Sequence, residues 1–264
     1  MNILLTGGHT GIGLELTKLL LKDNHQINLV AKDHGRVKAA AEALDQSGRI
    51  AYYYADLSKQ EEVVRMAEEV NQKGEPIDIL FNNAGVLLDD LLLSPQGNEM
   101  HYEVNTLAPI ILTRSLKASL DRSKHPLVVN TVTDGIHQSR KLDIEELMHP
   151  KKFRKLFGSY MQSKLALTLA MNAWALSWPN IRVVNVIPGP NKTKMTGGKG
   201  MPAWLIPIRN VFFAPPQKGA IRLHQAAFNL QGSGIYLSKN KVKLVRQQLN
   251  DAEIKTLLSG IKTQ

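Results

Sequence analysis

Residues 2–22 read NILLTGGHTGIGLELTKLLLK and decide the fold class of this 264-residue chain. The apolar run at 2–6 predicts a buried β-strand, and the spacing of apolar residues in 11–22 predicts an amphipathic helix directly after it. The glycine-rich turn between them presents unpaired backbone amides at a helix N-terminus, where an anion can approach closely. Taken alone, the turn fits equally well a tight turn that needs glycine at positive φ, so the downstream sequence has to decide.

The same alternation of strand and helix continues along the chain. Further strands are predicted at 27–31, 50–54, 77–81, 126–132, 181–187 and 234–237, and helical spacing recurs in RVKAAAEAL (36–44) and QEEVVRMAEEV (60–70). Parallel strands need right-handed crossovers, which place helices on both faces of the sheet. We therefore predict an α/β Rossmann fold, with one domain over residues 1–264, a doubly wound, mostly parallel seven-stranded sheet, and a ligand at the carboxyl ends of its strands.

The charge balance is basic, with 33 Lys and Arg against 23 Asp and Glu and a formal net charge of +10. Local clusters are HPKKFRK (149–155) and KNKVKLVR (239–246). Such clusters attract nucleic acid, an anionic membrane surface or a phosphate-bearing ligand, or simply form a solvated surface. No helix-turn-helix, zinc-finger or RNA-binding signature accompanies them, so we expect no nucleic-acid partner.

Several classes of protein are excluded by what the sequence lacks. There is no cysteine, which rules out disulfides, thiolate metal sites and a cysteine nucleophile. No apolar run is long enough to span a membrane and no charged leader precedes the first strand, so we expect a cytoplasmic protein without a membrane span. The histidines follow no metal-binding spacing, so no metal is predicted. They are His9, His25, His34, His101, His125, His137, His149 and His224.

Six motifs, in order along residues 6–193, resemble those of the short-chain dehydrogenase/reductase family. They are TGGHTGIG (6–13), Asp56 in YADLS, Asn82-Asn83-Ala84-Gly85, Asn105 in EVNTLAP, Tyr160 and Lys164 in YMQSK, and PGPNKT (188–193). The resemblance implies an oxidoreductase that moves hydride between a nicotinamide cofactor and a carbonyl or alcohol. It also implies the cofactor-binding residues, namely Gly7, His9, Thr10, Gly11, Ile12, Gly13, Lys32, Asp56, Leu57, Asn83, Ala84, Gly85, Tyr160, Lys164, Pro188, Gly189 and Thr193.

The choice of cofactor depends on the end of the second strand. An acidic residue there binds the ribose 2′-hydroxyl of NAD, whereas a basic residue accommodates the 2′-phosphate of NADP. Reading LVAKD against the family places Ala31 at the acidic position and Lys32 at the basic one, which favours NADP(H). A shift of one residue would bring Asp33 towards the ribose, so NAD(H) stays open.

Tyr160 and Lys164 are the predicted proton donor and its tuning partner. Four residues apart on a helix, they share one face, and an ammonium beside a phenol favours the phenolate. Moving the pKa of a phenol from about 10 to near 7 takes about 4 kcal/mol. In the resembled family the lysine also holds the nicotinamide ribose, and Asn105 supports a proton relay through water.

One catalytic position departs from the family pattern. Where the family has a serine after the fifth strand, VVNTVTDG places Thr133, whose hydroxyl offers the same donor and acceptor. Thr131 lies on the same side of the strand, and the register favours Thr133. The predicted catalytic set is therefore Tyr160, Lys164, Thr133 and Asn105, and the alternative is a catalytically weak or inactive nucleotide-binding sensor or scaffold.

The segments around the predicted site indicate the substrate class. The insert at 136–158 and the segment at 201–220 are similar to the retinol-dehydrogenase-like branch, which implies a lipophilic carbonyl or alcohol. Residues 190–215 predict a lid over the site. The residues predicted either to line an apolar pocket or to pack the core are Val86, Leu87, Leu88, Leu91 to Leu93, Met195, Met201, Trp204, Leu205, Phe212 and Phe213. Family members are often dimers or tetramers, but the insert can obstruct a helix interface, so homodimer, homotetramer and monomer are all open.

Overall fold

The structure, a computed structural model, describes most of the chain. The described residues are 1–33, 35, 38–39, 42, 44, 48–137, 141–238, 241–243 and 247–262. His34, most of the helix predicted at 36–44, and most of the basic cluster at 239–246 lie outside them.

Eight strands of the described residues form one sheet in the order β3-β2-β1-β4-β5-β6-β7-β8. The strands are β1 (Asn2–Thr6), β2 (Gln26–Ala31), β3 (Ile50–Tyr54), β4 (Ile79–Asn82), β5 (Leu127–Thr131), β6 (Arg182–Ile187), β7 (Ile235–Ser238) and β8 (Lys241–Lys243). The first seven are parallel and were predicted to within two residues at each end. The prediction missed β8, which pairs antiparallel with β7, because the three residues KVK carry too little apolar pattern to indicate a strand.

The helices follow the strands and cover both faces of the sheet. They are α1 (Gly11–Lys22), α2 (Gln60–Gln72), α3 (Met100–Tyr102), α4 (Ala108–Ser115), α5 (Lys117–Asp121), α6 (Ile144–Met148), α7 (Met161–Ser177), α8 (Leu205–Phe212), α9 (Pro216–Phe228) and α10 (Asp251–Leu258). Two irregular segments lead into α4 and α7: a π-helical turn, Glu103–Leu107, and the segment Lys155–Tyr160, which is kinked at Gly158 (φ −118°, ψ −118°). Within the described residues, none of the helices combines the length and apolar character that crossing a bilayer requires.

Two apolar cores, one on each face of the sheet, confirm the doubly wound arrangement. Ile3 and Leu5 of β1 pack with α1 and α9, whereas Leu4 between them packs with α2, α4 and α7. Adjacent residues of a strand point to opposite faces, so a strand covered on both sides has to be apolar throughout. The strand order reverses between β1 and β4, which opens a crevice at their carboxyl ends.

A row of buried asparagines crosses the sheet just below that crevice. Asn82 of β4 donates to the amide oxygen of Asn130 on β5 (2.9 Å), and Asn130 donates to Asn185 on β6 (3.0 Å). Asn185 in turn donates to Asn172 of α7 (2.8 Å). The strand register places the three strand residues side by side. A buried amide must find partners, so this row fixes the relative heights of β4, β5, β6 and α7.

We expect Asn130→Ala to lower the free energy of unfolding by about 2–3 kcal/mol, because it leaves the buried oxygen of Asn185 without its donor and opens a small cavity. Urea denaturation followed by circular dichroism measures the change. Asn210→Ala, at an exposed position, is the control and is expected to change stability by less than about 0.5 kcal/mol. If the two substitutions lowered the free energy of unfolding equally, the buried asparagine row would contribute no more to stability than an exposed asparagine does.

Candidate active site

A cavity of about 460 Å³ lies at the carboxyl ends of the strands. It is lined by the turn between β1 and α1, the ends of β4 and β5, the start of α7 and the loop after β6. Fifteen of the predicted site residues line it: Gly7, His9, Thr10, Gly11, Ile12, Gly13, Asn83, Ala84, Gly85, Thr133, Tyr160, Lys164, Pro188, Gly189 and Thr193. The other four, Lys32, Asp56, Leu57 and Asn105, lie outside the lining. The structure thus brings residues from most of the chain's length into one crevice.

The glycine-rich turn forms a narrow cradle at the start of α1. Gly7 has φ of +69°, and a Cβ on Gly13 would lie 2.2 Å from the carbonyl oxygen of Gly7. The Thr10 side chain makes no capping hydrogen bond, and the first turn of α1 contains no acidic residue. The helix N-terminus therefore presents backbone N–H groups and its positive dipole to the cavity, as a phosphate-bearing ligand requires.

Thr6 joins the ends of β1 and β4, a role that the sequence analysis missed. Its hydroxyl accepts hydrogen bonds from the backbone amides of Asn83 and Ala84, both at 3.0 Å, and donates to the carbonyl of Phe81 at 3.3 Å. The side-chain amide of Asn83 donates back to the Thr6 carbonyl at 3.1 Å. The hydroxyl directly before the glycine turn was the available signal. These bonds hold the two walls of the crevice at a fixed spacing.

Asn105 is buried in the first π-helical turn and braces the loop after β4. Its oxygen accepts from the Val86 amide at 2.8 Å, and its nitrogen donates to the Val86 carbonyl at 3.0 Å and to the Ser163 hydroxyl at 3.1 Å. Ser163 donates to the carbonyl of Tyr160 at 2.7 Å. Ser163 was not predicted as a site residue, although it lies inside YMQSK. Asn105 therefore connects the loop after β4 to the helix that carries the Tyr-Lys pair.

Lys164 is buried beneath the cavity. Its Nζ donates to the carbonyl of Thr131 at the end of β5, at 2.9 Å. A Cβ on Gly85 would lie 3.3 Å from this nitrogen and 2.8 Å from the Asn105 oxygen. Only glycine at position 85 leaves room for the amine and the amide to come this close.

Burial moves the pKa values of the Tyr-Lys pair apart. It raises the pKa of the Tyr160 phenol to about 12 and lowers the pKa of the Lys164 amine to about 8. The lowering of the Tyr160 pKa that its spacing from Lys164 predicts is not found, because burial raises this pKa. Lost hydration disfavours the charged phenolate, so the phenol stays protonated at neutral pH.

Two threonine hydroxyls face the cavity near the pair. The Thr131 hydroxyl donates to the side-chain oxygen of Asn83 at 3.4 Å, whereas the Thr133 hydroxyl accepts from the Gly135 amide at 3.4 Å. An accepted hydrogen bond uses a lone pair and leaves the hydroxyl proton for another partner. Both threonines line the cavity. The Thr131 hydroxyl donates its proton to Asn83, whereas the Thr133 hydroxyl acts as an acceptor, so its proton is available to a ligand.

A buried histidine contacts the ring of Tyr160, although no sequence motif predicted it. The His101 ring meets the Tyr160 ring edge-on with centroids 6.2 Å apart. Its Nε2 accepts from the Leu88 amide at 3.0 Å and its Nδ1 lies 2.7 Å from the Glu99 carboxylate. Since Nε2 acts as the acceptor, Nδ1 carries the proton towards Glu99, and the ring orientation is fixed.

The loop after β6 closes the cavity on the side of the glycine turn. Gly189 has φ of +80°, and a Cβ there would lie 2.1 Å from Arg222. Arg222 donates to the Pro188 carbonyl at 2.9 Å. A Cβ on Gly11 would lie 3.4 Å from the Thr193 methyl group, so the loop and the glycine turn are in contact.

Of the apolar candidates, Leu87, Met195, Met201 and Phe213 line the cavity, joined by Leu156, Met161 and Ile187, which were not predicted. Met161 directly follows Tyr160, and that adjacency was the available signal. Trp204 and Phe212, both among the candidates, lie outside the lining and are 64% and 76% exposed. Leu91, Leu92 and Leu93 are also exposed.

A second group of predicted residues lies together beyond the cavity. Lys32 Nζ is 3.9 Å from the Asp56 carboxylate, and Leu57 packs at the edge of one apolar core. Burial opposes ionisation of Asp56, but hydrogen bonds from the Ser58 amide and hydroxyl, with the charges of Lys32 and Lys59, hold its pKa below the usual value. A carboxylate and an exposed cation therefore stand at the ends of β2 and β3, next to the glycine turn.

A family model described as short chain dehydrogenase matches residues 1–141. Dehydrogenase/reductase SDR family member 12 of Bos taurus is 30% identical over 192 residues, which are 70% of this chain and 59% of that protein's length. Polyprenol dehydrogenase of Danio rerio is 29% identical over 250 residues, 89% and 76% of the two chains. Retinol dehydrogenase 11 of Mus musculus is 28% identical over 222 residues, 82% and 70%.

Solved structures share the fold. NADPH-bound carbonyl reductase from chicken fatty liver superimposes with a TM-score of 0.72 at 20% identity, over 92% of this chain and 98% of that one. Salutaridine reductase from Papaver somniferum gives 0.68 at 19% identity, over 89% and 98%. The predicted Rossmann fold is thereby confirmed.

The displaced pKa of Lys164 has a measurable effect on stability. The value is about 8 in the folded chain against 10.5 ordinarily, so between these values the unfolded chain binds more protons and the wild type becomes more stable as pH rises. We expect the unfolding free energy of the wild type, relative to Lys164→Met, to rise by about 1.5 kcal/mol from pH 8 to pH 9.5. Urea denaturation at each pH measures it. The same series with Lys124→Met, at an exposed position, corrects for the loss of one charge. If the corrected difference in unfolding free energy between the wild type and Lys164→Met did not change with pH, the pKa of Lys164 would not be lowered by burial.

Proposed function

Since the chain belongs to the short-chain dehydrogenase family, we propose that this oxidoreductase transfers hydride between NADP(H) and a lipophilic carbonyl or alcohol. The observation that carries the proposal is that Tyr160 and Lys164 open into the same cavity as the glycine cradle at the start of α1. A dinucleotide phosphate at the cradle and a reacting carbonyl at Tyr160 would then belong to a single crevice.

The residues present fit a nicotinamide dinucleotide. Backbone amides at the start of α1 suit its phosphates, and the loop at Pro188 and Gly189 forms the opposite wall. Lys164 is placed to bond the ribose next to the nicotinamide, because its amine lies beneath the cavity at Gly85. When bound, the cofactor supplies or accepts the hydride.

Tyr160 supplies the proton. Reduction of a carbonyl leaves an oxyanion that needs an acid, and a phenol with a pKa of about 12 holds its proton at neutral pH until that charge develops. Charged Lys164 beneath the ring would stabilise the phenolate that remains. Thr133, with its proton directed away from Gly135, would donate to the substrate oxygen and orient it. Asn105 and Ser163 act as positioning residues, since they hold the backbone of the Tyr-Lys helix against the loop after β4.

A preference for NADP(H) over NAD(H) rests on Lys32. The side chain is 72% exposed and stands 3.9 Å from Asp56, so its cation is available to a 2′-phosphate at the ends of β2 and β3. The same phosphate would meet repulsion from Asp56, which the lysine offsets.

The substrate is proposed to be lipophilic because apolar side chains dominate the wall beyond Tyr160. Leu87, Leu156, Met195, Met201 and Phe213 line this part of the cavity. Residues 190–215 are proposed as a lid, since the Arg209 guanidinium donates to the Thr193 carbonyl at 3.2 Å and so holds α8 against the loop that closes the site. Polyprenol and retinol dehydrogenases among the relatives support an apolar alcohol or aldehyde as substrate.

We expect Tyr160→Phe to lower kcat about 100-fold or more while NADPH still binds, because only the proton donor is lost. NADPH oxidation with a panel of aldehydes, ketones and quinones measures turnover, and cofactor fluorescence measures binding. Tyr52→Phe removes a tyrosine hydroxyl outside the cavity lining and serves as the matched control. Unchanged turnover in Tyr160→Phe would overturn the mechanism, and NADPH binding without turnover by the wild type would favour the sensor alternative.

We expect Lys32→Ala to raise KM for NADPH about fivefold and to leave KM for NADH unchanged, since one exposed ion pair contributes about 1 kcal/mol. Steady-state kinetics with both cofactors makes the comparison, and Lys22→Ala, an exposed lysine at the far end of α1, is the control. An unchanged KM for NADPH would rule out Lys32 as the phosphate ligand.

A further inference from the structure

Charge is divided very unevenly along the chain. Residues 147–250 hold 16 of the 33 Lys and Arg residues and none of the 23 Asp and Glu residues. This acid-free stretch includes the end of the insert, the Tyr-Lys helix, the loop after β6 and α8. No carboxylate within this stretch neutralises its lysines, although Glu146, just before it, accepts a hydrogen bond from the Lys151 amide at 3.4 Å. The remaining excess of cations attracts an anionic partner.

The same stretch carries the largest exposed apolar side chains beside the cavity. None of the residues of α8 is buried, and Trp204, Val211 and Phe212 are 64%, 73% and 76% exposed. Phe157, from the turn before Tyr160, stacks on Trp204 with centroids 6.2 Å apart and planes within 5°. Single exposed apolar residues are ordinary, but a stacked aromatic pair with further exposed apolar side chains seven and eight residues beyond Trp204, at helical spacing, marks an interaction surface.

Lysines flank these apolar groups on both sides. Lys151 and Lys152 are exposed just before Phe157, and Lys192, Lys194 and Lys199 are exposed in the loop before Trp204. The two sides are joined because Lys155 donates to the Lys199 carbonyl at 3.1 Å. We call the set of Phe157, Trp204, Val211, Phe212 and these five lysines the docking face.

We propose that the docking face binds the surface of an anionic lipid bilayer. Aromatic rings and aliphatic side chains enter the interfacial region, and the lysines contact the headgroups. Basic residues alone would suit any polyanion, but Trp204 and the two side chains on α8, Val211 and Phe212, need an apolar medium to be buried in, and a bilayer offers both kinds of contact.

The position of this face also suggests how a lipophilic substrate reaches the site. Phe213 lines the cavity and directly follows Phe212 on the docking face, and Leu156 of the lining directly precedes Phe157. The cavity wall and the docking face therefore share the same two segments. Delivery of substrate from the bilayer rests on the proposed function, whereas binding to the bilayer does not.

The test is sedimentation of the full chain with phosphatidylcholine vesicles that contain or lack about 30% phosphatidylserine. We expect binding to the anionic vesicles, weakened by salt, with little binding to the neutral ones. Brominated lipids should quench the fluorescence of the wild type more than that of Trp204→Phe. Binding equally strong to neutral vesicles, or absent from anionic ones, would overturn the proposal, as would retention on heparin combined with no vesicle binding.

Matched variants locate the face. K151E/K152E and V211D/F212D are each expected to weaken binding at least about tenfold. K22E/K124E makes the same charge change at the amino-terminal edge of the sheet, and L176D adds an acid at an aliphatic residue that is 83% exposed, so both should stay within about twofold of the wild type. Equal losses in test and control variants would contradict the assignment.

Turnover of a small water-soluble aldehyde without vesicles, measured for every variant, keeps the two proposals separate. A wild type that binds vesicles but turns over no carbonyl refutes the proposed function alone, and an active wild type that binds no vesicle refutes the docking face alone.

Discussion

The buried amine of Lys164 is the constraint around which the site is organised. A charged group out of water must be paired or hydrogen-bonded, and here the partner is the Thr131 carbonyl at the end of β5, at 2.9 Å. Together with the bond from Asn185 to Asn172, this bond fixes the height of α7 against the sheet, and with it the position of Tyr160 one turn away. The absence of a side chain on Gly85 lets the amine and the Asn105 amide approach the same point. The rest of the crevice is built to hold this arrangement in place.

Local irregularities in two helices give the site its shape. Asn105 lies within a π-helical turn, and Tyr160 closely follows a kink at Gly158. Such departures from a regular helix are less stable and are retained where they aim a side chain that a regular helix would misplace. Here hydrogen bonds from the Asn105 side chain to the Val86 backbone and to Ser163 offset the lower stability of the irregular helix. The asparagine row across β4, β5 and β6 supplies the rigid floor beneath them.

Electrostatics divides the molecule into a chemical interior and a basic exterior. Inside, burial raises the pKa of the Tyr160 phenol and lowers the pKa of the Lys164 amine. A phenol that stays protonated suits a proton donor that acts only when negative charge develops on a substrate. Outside, the stretch without carboxylates surrounds the apolar side chains of α8. The two regions meet at Phe212 and Phe213, where one residue faces solvent and the next lines the cavity.

The sequence by itself determined the parallel sheet. A strand covered on both faces has to be apolar throughout, and in the helices between strands the apolar residues recur about every 3.6 positions. It also indicated most of the residues that gather at the crevice, since motifs at the carboxyl ends of successive parallel strands meet at one edge. Only the tertiary structure decided the direction of the pKa shift of Tyr160, because the shift comes from burial, and burial is a property of the packed chain. The same is true of His101 and Ser163, which contact Tyr160 and Asn105 only in the folded chain. It is also true of α8, none of whose residues is buried, because the exposure of a helix depends on how the rest of the chain packs.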